Sequence, residues 1–179
     1  MKSKDMEIGE TVVELSRGVN LITDIGANSD VLNVDQELVW VQVPCAVDSG
    51  SCANVAPKDI FSIESPTTEK LLPKFFGADG SPIENLGSLV AEGFSDDGHA
   101  MKIDFDIAKV TRPLLSVYKM SSNGHKVEFT EKGGTIQVKG SQKKIQLRQE
   151  GRLFMLDLWC QVPAKLARES PFIRQVAKA

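Results

Sequence analysis

The chain has 179 residues, of which 41% are hydrophobic and 25% charged, with a formal net charge of -3. That size allows one domain with a substantial core, and the charge balance offers no electrostatic case for a nucleic-acid partner, which wants a clustered basic surface. No apolar run is long enough to span a bilayer, and the polar start Met1-Lys2-Ser3-Lys4-Asp5 lacks the features of a signal peptide. The expected compartment is therefore intracellular and cytoplasmic, with no membrane partner.

In chain order the reading is mainly β. Thr11 to Leu15 and Gly18 to Ile25 are candidate strands, with Gly26 to Asp30 as a turn or linker. Residues 1–37 are thus an N-terminal extension that supplies extra strands or a leader. Val39 to Val43 is a strand, and Cys45-Ala46-Val47 carries it into a turn at Asp48. Leu71 to Phe76 and Ser81 to Leu86 flank Gly77-Ala78-Asp79-Gly80, whose Asp-Gly pair favours the positive φ of a tight hairpin. A second strand pair, Gly87 to Phe94 and Met101 to Val110, surrounds Ser95-Asp96-Asp97-Gly98. Met101, Ile103, Phe105 and Ile107 alternate with Lys102, Asp104 and Asp106, the period of a half-buried strand.

Pro113 opens a short helix-compatible stretch through Met120, stopped by Ser121-Ser122-Asn123-Gly124. Strands follow at Lys126 to Thr130, Thr135 to Lys139, Lys144 to Leu147 and Leu153 to Cys160, the last apolar enough to be central or at an interface. A further helix start is expected at Ser170-Pro171, within a basic tail. The expected organisation is a core over residues 38–130, additional strands packing on it over 131–162, and the tail over 163–179.

Few groups suit chemistry. Cys45, Cys52 and Cys160, with His99 and His125, lack zinc-ligand spacing. Asp96-Asp97-Gly98-His99 is explained by an Asp-Gly turn. Gly133-Gly134 lacks the Lys-Ser/Thr of a phosphate loop, and no nucleophile elbow is present. No metal or cofactor is expected. Trp40 and Trp159 are read as core or interface anchors.

The segment Val41-Gln42-Val43-Pro44-Cys45-Ala46-Val47-Asp48-Ser49-Gly50-Ser51 is different. An apolar strand ends in a carboxylate, then a small hydroxyl residue able to bond nearby backbone, then a glycine that lets the chain turn closely. The tripeptide recurs by chance, so its context matters more. Val47-Asp48-Ser49-Gly50-Ser51-Cys52-Ala53-Asn54-Val55-Ala56-Pro57 resembles the active-site segment of retropepsin-like aspartic proteases. Phe75-Phe76-Gly77-Ala78-Asp79-Gly80-Ser81-Pro82-Ile83-Glu84-Asn85-Leu86-Gly87 resembles their flap hairpin. Pro113-Leu114-Leu115-Ser116-Val117-Tyr118-Lys119-Met120, followed by Gly124-His125-Lys126-Val127-Glu128-Phe129, is similar to the matching region of copia-type retrotransposon polyproteins.

The resemblance implies a closed retropepsin-like β-barrel with one short helix and one catalytic loop per chain. It also implies a homodimer, endopeptidase activity on a peptide or polyprotein, and a substrate held extended beneath the flap. Asp48 would be the catalytic carboxylate, Ser49 and Gly50 would complete its loop, and Gly77, Ala78, Asp79, Gly80 and Ser81 would form the flap tip. The chain departs from the family pattern at Ser51, where alanine is frequent, at Ser116, where glycine is frequent, and at a flap tip without a run of glycines. Two alternatives remain from the residues: a non-catalytic retroelement-derived binding or assembly module of the same fold, and a thiol enzyme using Cys45 or Cys52.

Overall fold

The computed structural model describes residues 13–14, 37–58, 60–61 and 74–174. The candidate strand Gly18 to Ile25, the turn after it and Leu71 to Pro73 lie outside these residues. The described chain is mainly β, with two short helices. Its strands are β1 (Val13–Glu14), β2 (Leu38–Asp48), β3 (Val55–Ala56), β4 (Phe75–Phe76), β5 (Pro82–Ile83), β6 (Asn85–Ser95), β7 (Ala100–Ala108), β8 (Leu114–Ser116), β9 (Lys126–Thr130), β10 (Gly133–Gln137), β11 (Lys144–Glu150) and β12 (Leu153–Pro163). The helices are α1 (Val117–Ser122) and α2 (Ala164–Glu169). No helix among the described residues is long and apolar enough to cross a membrane.

Ten strands form one sheet in the order β1-β7-β3-β8-β2-β12-β11-β10-β9, with β6 pairing both β7 and β12; β4 and β5 form a separate hairpin. The centre is β2. It runs antiparallel to β12 from Val47↔Phe154 to Leu38↔Pro163, and its last three residues run parallel to β8 with Asp48 opposite Ser116. Side chains alternate across a strand, so Val41, Val43, Cys45 and Val47 of β2 all enter the core. The alternation read in β7 holds: Met101, Ile103, Phe105 and Ile107 are buried while Lys102, Asp104 and Asp106 are partly exposed. Each such large apolar side chain contributes about 1.5–3 kcal/mol by leaving water.

Several boundaries differ from expectation. The stretch opened by Pro113 begins as strand β8, because Leu114 to Ser116 pair with β2; helix α1 starts only at Val117, capped by the Ser116 hydroxyl, which accepts from Lys119 N. The second helix, α2, lies earlier in the chain than the helix start expected in the tail. It ends at Ser170, the point where a helix was expected to begin, and the Ser170 N–H donates to Leu166 O at 2.9 Å. Its anchors are Leu166 and Ala167, buried in the same core as Ile173. Strand β10 begins two residues early, at Gly133. A Cβ on Gly134 would sit 2.7 Å from Glu128 O, so only glycine lets β9 and β10 approach this closely. The Leu153 strand is central, lying between β2 and β11.

Candidate functional site

The Asp48 carboxylate stands at the end of β2, half-buried, where the core strand gives way to a turn. Its Oδ1 accepts the Gly50 N–H at 2.7 Å, closing an Asx turn that holds the carboxylate over its own loop. A Cβ on Gly50 would lie 3.3 Å from that oxygen, a tight approach that favours glycine. Ser49 and Gly50 are exposed. The Ser51 hydroxyl donates to Ala53 O at 2.6 Å and fixes the descending limb.

Beneath the loop lies a set of bonds that sequence reading did not find. Asn54 is buried, with its side chain donating to Asp104 O at 3.1 Å and accepting from Ser116 N at 2.9 Å. Its own carbonyl accepts from Asp106 N at 2.9 Å. The Ser116 hydroxyl is also buried and donates to Ser51 O at 2.6 Å. Ser116, read above as a departure from glycine, therefore ties β8, the start of α1 and the Asp48 loop together. A polar residue inside the run Ala53-Asn54-Val55-Ala56 was the one available signal.

Asp48 and Ser49 line a cleft of about 490 Å³, with Arg112, Phe129, Arg152 and Phe154 among its walls. Phe129 and Phe154 stack with ring centroids 4.4 Å apart. These groups come from the β7–β8 connection, β9, the β11–β12 turn and β12, so no local pattern announces them. Among the described residues Asp48 is the one acid in the lining.

The Gly77 to Ser81 tip forms a tight turn, as its Asp-Gly pair suggested. Gly77 N donates to Ser81 O at 2.8 Å, Gly80 N donates to Gly77 O at 2.9 Å, and Gly80 has a φ of 79°. Asp79 Oδ1 accepts from both Ser81 N and Ser81 Oγ, and these bonds hold its carboxyl below the usual range. At the hairpin base, Phe75 and Ile83 pack against the cluster of Ala53, Val55 and Ala108, as does Leu114 of the cleft wall. The hairpin thus stands in part on residues that follow the Asp48 loop. Among the described residues, no hydrogen bond joins its tip to that loop.

The other candidates are structural. Gly98 N donates to Ser95 O and has a φ of 76°, while Asp96 accepts from Gln42 and Trp159 side chains and Asp97 from Gln146 N. No group of three or more His, Cys, Asp or Glu side chains among the described residues could hold a metal. His125 is buried, with Nδ1 accepting from Lys139 N at 3.3 Å. Trp40 is half exposed against Phe94 on the outer face of the sheet, so it is no core anchor.

The thiols divide by burial. Complete burial pushes the Cys45 thiol well up, and burial pushes Cys160 up to about 12, so neither supplies a thiolate near neutrality. Cys52 is exposed. Iodoacetamide is expected to label Cys52 in the native protein and to reach Cys45 and Cys160 only after unfolding. Labelling of all three at similar rates, followed by peptide mass spectrometry, would contradict the packing of β2 on β12.

Comparison with known proteins adds no relative to this geometry: no protein-family model, no curated protein and no solved structure matches the chain.

Proposed function

We propose that this chain is one half of a retropepsin-type aspartic endopeptidase, with Asp48 as its catalytic carboxylate. The observation that carries the reading is the position of Asp48. It lies at the end of a central strand, is turned by Gly50, is buttressed through Ser51 by Ser116 of the parallel neighbour, and faces a cleft. Peptide hydrolysis by this chemistry needs two carboxylates about 3 Å apart sharing one proton, so that one activates water while the other protonates the developing oxyanion. One Asp48 loop per chain makes the second carboxylate that of another copy, related by a two-fold axis.

Two further features favour this reading. The pairings β7–β3, β3–β8, β8–β2, β2–β12, β12–β6 and β6–β7 form a circuit, as a closed barrel would. The base of the Phe75–Ile83 hairpin packs on Ala53 and Val55, a few residues beyond the Asp48 loop, and this favours reading it as a flap over an extended substrate. In this reading Ser49 and Gly50 shape the catalytic loop and Gly77 to Ser81 contact the substrate backbone.

The test is cleavage of a diverse peptide library between about pH 4 and pH 7 over a range of protein concentrations. Specific activity is expected to rise with concentration until the dimer saturates, in step with dimer formation followed by analytical ultracentrifugation. A folded, dimeric protein that cuts nothing would instead assign the fold to a non-catalytic assembly module.

A further inference from the structure

The cleft beside Asp48 carries more positive than negative charge, and that charge is not spent inside the protein. Arg112 and Arg152 are both exposed and both line it, one from the β7–β8 connection and the other from the β11–β12 turn. Among the described residues neither has an ion pair or hydrogen bond. The other arginines of this region behave differently. Arg148 pairs with Asp157 and Glu150, and Arg174 pairs with Glu150 at 2.6 Å. Glu150, the acid nearest Arg152 in the chain, is thereby committed elsewhere. Asp48 is the one acid in the lining among the described residues, and its Oδ1 accepts from the Gly50 N–H.

Against these two cations stands an apolar wall. Phe129 stacks on Phe154 and keeps 39% of its surface exposed, and Leu114 adds to the same wall. A guanidinium without a partner is a fork for a carboxylate, which it binds in a bidentate, orientation-dependent way. An extended peptide presents neighbouring side chains to different sides. A ligand complementary to both surfaces has a large apolar side chain for the aromatic wall and a carboxylate close to it in sequence.

We infer that the cleft selects peptides in which an acidic residue lies beside a large apolar one, with Arg112 and Arg152 as the specificity-determining residues. The inference rests on the endopeptidase reading and names its substrate class. The arginines act on the substrate carboxylate, so their effect falls on discrimination between peptides. If they acted instead on the ionisation of Asp48, all peptides would be affected alike.

The experiment uses the 179-residue chain at concentrations where it is dimeric, and matched peptides that differ only in Asp or Glu, Asn or Gln, and Lys near an apolar cleavage position. The wild type is expected to favour the acidic over the neutral peptide in kcat/KM by roughly five- to twentyfold, a preference that narrows as salt rises. The ratio is expected to collapse in Arg112→Gln/Arg152→Gln and to invert toward the Lys peptide in Arg112→Glu/Arg152→Glu. Arg152→Lys is expected to keep the sign of the preference. Cleavage that depends on Asp48 but shows a ratio near one, or a ratio unchanged by charge reversal, overturns the inference and leaves the protease reading standing. If no peptide is cut, the protease reading falls, and the same peptides with a fluorescent label test the cleft by binding anisotropy. Equal binding of acidic and neutral peptides then overturns the inference, while an acidic preference lost on charge reversal sustains its recognition half.

Discussion

Asp48→Asn is expected to lower peptide cleavage by at least roughly a thousandfold while leaving folding and dimerisation close to wild type. The chemical step loses its base, because an amide neither takes a proton from water nor shares one across the dyad. The fold keeps its turn, because the Asn side-chain oxygen can still accept the Gly50 N–H that Asp48 Oδ1 accepts at 2.7 Å. Asp48→Ala differs in the second respect: it removes that acceptor and is expected to cost about 1 kcal/mol of stability besides the activity. Residual cleavage above a hundredth of wild type in pure Asp48→Asn protein would remove Asp48 from the chemistry.

The proposed dyad would also set a pH signature. Two facing carboxylates titrate as a pair, with apparent pKa values that belong to the pair. In the proposed chemistry the active form carries one proton. Raising pH through the upper value strips that proton and removes the acid, and lowering pH through the lower value protonates both groups and removes the base. A bell-shaped profile on the acidic side of neutrality is therefore expected, and it should vanish with dimer dissociation because each limb needs both chains.

The sheet was legible wherever one face of a strand meets water. In β7 the alternation of Met101, Ile103, Phe105 and Ile107 with charged residues is visible because each step of the pleat turns a side chain over. The hairpins at Asp79-Gly80 and Asp97-Gly98 were legible because their glycines take φ values of 79° and 76°. Strand β8 was not, since three residues carry no period and its partner lies about seventy positions earlier. Helix α2 was misplaced because Pro171 resembles a first-turn proline, whereas the buried pair Leu166 and Ala167 is what holds the helix on the sheet. The candidate site divides in the same way. The Asp48 loop is contiguous and could be read from its own residues, while Arg112, Phe129 and Arg152 meet only through tertiary packing. Ser116 changed meaning on folding: the resemblance to retropepsins marks it as a departure from glycine, whereas in three dimensions its hydroxyl bonds the loop that glycine would leave untied.

Asn54 is the residue whose removal is expected to damage the site most without touching Asp48. Its side chain satisfies Ser116 N at 2.9 Å and Asp104 O at 3.1 Å, and it is almost wholly buried, with 1% of its surface exposed. Truncation in Asn54→Ala removes both bonds in a place that water reaches poorly. A buried hydrogen bond lost in this way costs roughly 1–3 kcal/mol, so a loss of about 3 kcal/mol is expected, or roughly 6–12 °C in Tm for a chain of this size. Asn54→Asp is a sharper probe. It retains an acceptor for Ser116 N but loses the donor to Asp104 O and sets a carboxylate against that carbonyl, so it should fare no better than alanine. Ser116→Ala removes the helix cap and the bond to Ser51 but orphans less, and about 1–2 kcal/mol is expected. Because Asn54 and Ser116 brace the same loop, the double variant should lose less than the sum of the two. Denaturant unfolding of the four proteins measures this directly, and cleavage by the folded fraction reads its consequence at Asp48. A milder effect from Asn54→Ala than from Ser116→Ala would mean that the loop is held from the helix side, and that the bridge from β7 through Asn54 to β8 does not position the carboxylate.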